Sequence, residues 1–405
     1  MRASAFVYPW DVIGDPDAPA RLVDLGVRQV TLASAYHSTR ALTPRHPVHR
    51  VVTAPYSAVY YPPDPARWRD APLRPHRQRW LAGDDPYQQA AQALAEAGLE
   101  VHTWVILAHN SRLGEEHPDS CVTNAYGDRY PWAPCIARPE VHAYLVTLAA
   151  EAATRPGAHG TELESCGWYG LDHRHAHDKI GGVPLDGAAQ YLMSLCFCTA
   201  CADGYTAAGV DPDALRVAVR DALAAHWAGA AATAQPSDAR TAEAEWEAVR
   251  RLLGPEAAEA SLRHRTAVAR RLQREVVAAV REAAADRPDF RVLLHADPAP
   301  HRCGANVGVE PAEVLSSVDG LVLPCTGGAA ARRAALTAPA AHRRRGTVLA
   351  ANLTVVSGMG GSPATLARDA AEAAALGADE LRLYHAGLAS AQDLHLVRAA
   401  LAELR

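Results

Sequence analysis

The chain has 405 residues, 49% hydrophobic and 21% charged, with a formal net charge of −5, the balance of a globular enzyme able to bury a large core. The acidic balance excludes the usual nucleic-acid binder, because phosphate recognition needs concentrated Lys and Arg, and the run Arg343 to Arg345 is only a short cluster, read as a solvated helix end. No basic segment followed by an apolar stretch opens the chain, and no apolar run nears about 18 residues. Neither a secretion signal nor a membrane span is therefore expected, and the expected location is cytoplasmic.

Eight strand-like runs follow one another, at residues 4–8, 27–33, 100–107, 161–166, 290–295, 318–323, 347–353 and 380–384. Helical stretches separate them, at 18–25, 86–97, 139–153, 262–285, 311–317, 329–343 and 363–375, and a last helix at 391–404 closes the cycle. Such alternation in a chain longer than about 250 residues is the signature of a (β/α)8 barrel of the TIM type, carrying insertions. A doubly wound sheet would also alternate, but it normally places a glycine-rich phosphate turn after its first strand. Residues 8–14 read YPWDVIG instead.

Two long insertions leave the C-terminal ends of strands, where a barrel gathers its active site. The first, after the second strand, is rich in rings: His37, His46, His49, Tyr56, Tyr60, Tyr61, Trp68 and Trp80. These either pack a proline-rich loop onto the barrel or stack on a flat apolar ligand face. The second, after the fourth strand, covers residues 172–289 and is mostly helical. No Gly/Ser/Pro-rich linker flanks it, so residues 1–405 are read as one barrel domain with the insertion built in.

Within that insertion Cys196, Cys198 and Cys201 stand in a CxCxxC pattern. Three soft thiolates so close can supply three corners of a tetrahedral structural zinc site, the fourth coming from Cys166, Cys135, Cys121 or a histidine between 173 and 177. Three half-buried helix cysteines are the plainer alternative. No organic cofactor is expected.

The stretch from 160 to 179, GTELESCGWYGLDHRHAHDK, concentrates titratable groups. Glu162 and Glu164 are two apart and face the same way on a strand, and His173, His175 and His177 repeat that spacing just beyond. The order of residues 124–128 (NAYGD), 133–141 (APCIARPEV), Leu163-Glu164, a histidine-rich segment and CFCxxC resembles uncharacterised bacterial (β/α)8-barrel proteins described as glycoside hydrolases. The likeness spans about a quarter of the chain and implies a barrel with a carbohydrate-like substrate, a small molecule or an oligosaccharide. It does not identify the reaction.

Glycoside hydrolysis ordinarily needs two carboxyl groups. Glu164, ending the fourth strand, is the first candidate for general acid/base, and Asp297, just past the fifth, is the better placed partner; Asp178 and Asp172 are the others. In retaining enzymes of the large barrel superfamily the partner lies on the seventh strand, but here that strand has no acid. Trp10, His37, Trp104, His109, Asn110, Trp168, Tyr169, His173, His175, His295, Asn352, Tyr384 and His385 are expected to line the pocket. Two other readings stay open: a metal-dependent sugar isomerase or hydrolase using His, Glu and Asp as ligands, and a barrel that binds carbohydrate without catalysis.

Overall fold

A computed structural model describes residues 1–171, 178–229 and 241–404. Eight parallel strands close on themselves: β1 (Arg2–Val7), β2 (Gln29–Tyr36), β3 (Glu100–Ile106), β4 (Gly160–Glu164), β5 (Arg291–Asp297), β6 (Gly320–Pro324), β7 (Val348–Thr354) and β8 (Glu380–Tyr384). Closure is made by β1, which pairs with β2 through Ser4 to Val7 and with β8 through Arg2 to Ala5. The expected (β/α)8 barrel is the fold observed.

Helices return the chain between strands: α1 (Ala18–Leu25), α2 (Pro86–Glu96), α3 (Pro139–Ala153), α4 (Pro255–Ala283), α5 (Pro311–Val314), α6 (Ala329–Ala341) and α7 (Leu366–Ala375), with α8 (Ala391–Glu403) after β8. Their signals are local. Proline stands in the first turn of α1, α2, α3, α4 and α5, where its missing N–H costs nothing. Gly26 stops α1 at φ 100°, a left-handed conformation open to glycine. Between β4 and α4 the described residues form four further helices, Gly187–Met193, Thr199–Ala207, Pro212–Trp227 and Ala242–Leu253.

Barrel strands alternate between an apolar outer face, packed under helices, and an inner face that is unusually polar. Leu293, Val322 and Ala350 form a small apolar inner cluster, and Phe6 and Trp104 fill another sector, with ring centroids 4.6 Å apart. The rest of the interior carries Thr31, His102, Glu162, His295 and Arg382, all buried. Gly160 lets β4 enter tightly, since a Cβ there would stand 2.6 Å from the His102 ring and 2.8 Å from the Arg291 carbonyl oxygen.

The long connection after β2 is more structured than a packed loop. It forms a hairpin, Thr39–Leu42 with Val51–Ala54, and a short strand, Ala58–Val59, that runs antiparallel to the end of β2. After β3 comes a second hairpin, Cys121–Thr123 with Arg129–Pro134, tied to the turn after that strand by Asn110 N donating to Trp132 O at 3.1 Å. Neither hairpin was anticipated, because strands of three to six residues inside loops offer too few positions to display a period.

Candidate active site and thiol cluster

The alternation of β4 turns Glu162 and Glu164 into the barrel one above the other. Directly after Glu164 the backbone swings into φ 56° at Ser165, a conformation costing a non-glycine residue about 1–2 kcal/mol. Two backbone hydrogen bonds hold it, from Ser165 N to Ala305 O at 3.0 Å and from Ala108 N to Ser165 O at 2.9 Å. The turn ends the strand and leaves Glu164 at the rim.

The two carboxyl groups sit in opposite environments. Glu162 is fully buried, accepts from Arg382 Nε at 2.5 Å and from Thr31 Oγ1 at 3.1 Å. Burial alone would push its pKa up, but Arg382 and then His295 more than offset that, and it lies at about 2. Glu164 has no cation in hydrogen-bond contact among the described residues. Trp104 Nε1 donates to its Oε2 at 2.8 Å, and its side chain keeps 11% exposure. Here burial dominates and raises the pKa; the charge of His295 and the Trp104 bond pull against it, and Glu162 adds to the rise.

From Glu164 an arc of rings leads outward. Trp104 meets Tyr384 at 6.0 Å and Tyr36 at 4.5 Å; Tyr36 meets His37 at 4.2 Å, His37 meets His109 at 4.9 Å, and His109 stacks on Tyr169 at 4.4 Å. A second group lies behind it: Tyr8 is stacked between Trp10 at 4.2 Å and His385 at 4.3 Å. Gly387 N donates to His385 Nδ1 at 3.1 Å, which leaves the proton of this imidazole on Nε2, and burial holds its pKa down at about 3. Asn352 faces inward on β7 and is half-buried.

Other residues expected at the site also make structural contacts. Asn110 caps the helix Ser111–Glu116, its Oδ1 accepting from Leu113 N at 3.0 Å. Trp168 turns toward α4, donating to Arg265 O at 2.8 Å with the Arg265 guanidinium 5.2 Å from its ring. His173 and His175, with Asp172 and His177, lie outside the described residues. Asp297 is the last residue of β5; its Oδ1 accepts from Ala299 N at 2.9 Å and its Oδ2 from Arg302 at 3.1 Å. Arg302 also grips Glu245 of the insertion at 2.9 and 3.0 Å, so Asp297 is tied through one guanidinium to the helical layer.

Across the rim, Cys135, Cys196, Cys198 and Cys201 bring their four sulfurs within 4.8 Å of one another, and this group can hold a metal ion. It is the one group of three or more such ligand atoms among the described residues. Zn–S bonds of about 2.3 Å in a tetrahedron need sulfurs about 3.8 Å apart, and Cys135 lies 3.6 Å from both Cys198 and Cys201. Hydrogen bonds from Cys135 and then the other two thiols pull the Cys198 pKa down. Cys135 follows the hairpin after β3, so the cluster joins that loop to the insertion.

Tyr36, Tyr8 and Arg382 escaped the sequence reading, although one signal was present. In β8, ELRLY, Glu380, Arg382 and Tyr384 alternate with leucines, and a period of two places all three polar groups inside.

No family model matches the chain, and no curated protein matches it in sequence. Solved structures do match in fold. The glycoside hydrolase domain of PgaB (BpsB) from Bordetella bronchiseptica superposes with TM-score 0.57 at 16% identity, covering 99% of each chain. The catalytic domain of β-amylase from Paenibacillus polymyxa gives 0.56 at 12%, over 100% of this chain and 98% of that one. α-L-Fucosidase isoenzyme 2 from Paenibacillus thiaminolyticus gives 0.55 at 14%; the chain is covered in full but spans only 49% of that protein. At such identities the likeness shows the barrel fold, not an activity.

Proposed function

We propose that the protein hydrolyses glycosidic bonds, with Glu164 as general acid/base and Asp297 as the partner carboxylate. The observation that carries this is Glu164 itself: a carboxyl group at the C-terminal end of a barrel strand, buried enough to favour its protonated form, anchored through one oxygen by Trp104 and still reaching the rim. Protonated Glu164 gives its proton to the departing glycosidic oxygen. Asp297, facing Arg302, supplies the negative charge for the opposite side of the reaction, either by taking a proton from water or by attacking the sugar carbon. The ring arc from Tyr384 to Tyr169 suits the apolar faces of sugar rings, and the names of the structural neighbours point to the same substrate class.

The test is a screen of aryl glycosides and oligosaccharides, followed by substitution on the best substrate. Glu164→Gln is expected to cut turnover by about 10²–10⁴ with substrate affinity preserved, and Asp297→Asn to cause a comparable loss. Near-normal activity in both variants defeats the assignment. Affinity without turnover in the unaltered protein would instead identify a binding barrel.

The thiol cluster is proposed to hold structural zinc, with Cys135 completing the set that Cys196, Cys198 and Cys201 begin. A ligand set of four thiolates leaves no open position for substrate, so its role is to clip the insertion to the rim. Purified protein supplied with zinc is expected to carry about one zinc per chain; clearly substoichiometric metal would remove the proposal.

A further inference from the structure

The imidazole of His295 lies between the two buried carboxylates of β4. Its Nδ1 is 3.7 Å from Glu164 Oε2, and its Nε2 is 3.5 Å from Glu162 Oε2. Neither Glu162 Oε2 nor His295 Nε2 has a hydrogen-bond partner, although both atoms are buried. Glu162 cannot itself trade protons with a substrate, because it is fully enclosed and locked to Arg382 and Thr31. It is therefore a fixed negative charge beneath a mobile one.

We propose that His295 is a positioning residue for Glu164: its imidazole, oriented by Glu162 at Nε2, shares a proton at Nδ1 with Glu164 Oε2 and so sets the acidity of the carboxyl group that faces substrate. The proposal rests on Glu164 being the proton-transfer group and adds the device that tunes it. Oε2 is the oxygen approached by both Trp104 and His295, which leaves Oε1, unbonded by any described residue, to carry the exchangeable proton. When Glu164 has delivered its proton to the leaving group, the carboxylate left behind faces Nδ1 of the His295 imidazole, and the proton of the attacking water, entering at the rim, returns to Glu164. The separation of 3.7 Å is within ion-pair range in the unliganded protein, close enough for the charge of each group to act on the other.

The groups facing His295 agree with this division. β4 presents the two carboxylates, and β8 presents Arg382, neutralised by Glu162 and Glu380, and Tyr384. β3 contributes Trp104 and His102, the latter bound to Glu100 at 3.0 Å. β1 presents only the ring of Phe6, 5.7 Å away, and the neighbouring inner positions of β6 and β7 are Val322 and Ala350. Arg382 is engaged by Glu162 and Glu380, and His295 is the group whose positive charge acts on Glu164.

Histidine-labelled protein followed by nitrogen NMR tests the coupling without any substrate. If the proton is shared, Glu164→Gln removes the negative charge at Nδ1 and lowers the His295 midpoint by about 1–3 pH units, and the neutral ring carries its proton on Nε2. An unmoved midpoint, or the Nδ1–H tautomer, overturns the proposal. His295→Gln gives the reciprocal readout in the active enzyme. A general acid works only while protonated, and loss of a neighbouring positive charge raises its pKa, so the alkaline limb of kcat/KM should shift upward by a similar amount. A purely structural His295 would lower activity with the limb in place. Should the NMR coupling be found in a protein that hydrolyses no glycoside, the hydrolase assignment falls and the shared proton stands.

Discussion

The floor of the barrel and its mouth use the same side chain to opposite ends. On the floor Glu162 meets Arg382 at 2.5 Å, Arg382 meets Glu380 at 2.9 Å, and Arg291 reaches Glu380 at 3.1 Å, so every buried charge has a partner. Two residues along the same strand, Glu164 is left with an indole N–H and a distant imidazole. A paired cation keeps the carboxylate of Glu162 ionised; withholding that cation raises the proton affinity of Glu164, as a proton-transfer role would require.

The largest way to break the contrast is to strip the floor. Arg382→Met would leave Glu162 buried and unpaired, which costs about 3–5 kcal/mol of stability, measurable by denaturant unfolding. A loss below 1 kcal/mol would mean that the floor charges are not dehydrated as their burial implies. The same pair shapes the acid limb. The folded-state pKa values of Glu162 and Glu245 lie at about 2, below the ordinary carboxylate value of 4.5. Their stabilisation is complete above about pH 4.5 and is lost as pH falls toward 2. Glu164 runs the other way, its raised pKa disfavouring the folded state once it ionises. Arg382→Met should therefore flatten the acid transition, and Glu164→Gln should leave it in place.

Removing metal from the thiol cluster separates the rim from the floor. At a free metal concentration of about one hundred times Kd, the proposed zinc would stabilise the fold by about 2.7 kcal/mol. Chelation is expected to lower Tm by a corresponding amount and to loosen the insertion before it alters the barrel, seen as hydrogen exchange rising first in the helices Gly187–Met193 and Thr199–Ala207. Cys135→Ser should reproduce the effect, because the hairpin loop would then be unclipped.

The contrast between floor and mouth was only half legible in the sequence. Strand order and barrel closure followed from eight short apolar runs between helices, since period and length survive without tertiary knowledge. The shared face of Glu162 and Glu164 followed from their spacing of two. What pairs with each did not follow: Arg382 is 220 positions from Glu162 and Trp104 is 60 from Glu164, and only closure of the barrel brings them together. Cys135 shows the same limit. It was one of several candidates to join the CxCxxC group, and the hairpin that carries it to the other three sulfurs left no readable period.

Asn110 offers the smallest and sharpest check on how far such reading extends. Its position just past a barrel strand suggested a pocket residue, yet its side chain accepts from Leu113 N and closes the first turn of the helix Ser111–Glu116. A cap lost to alanine costs about 1 kcal/mol. A residue that touched the sugar would instead raise KM. Asn110→Ala should therefore lower stability by that amount with KM unchanged, and Asn110→Asp, which keeps the accepting oxygen, should restore the stability. If KM rises while stability holds, Asn110 belongs to the mouth after all, and the arc of rings extends beyond Tyr169 into the turn that begins this helix.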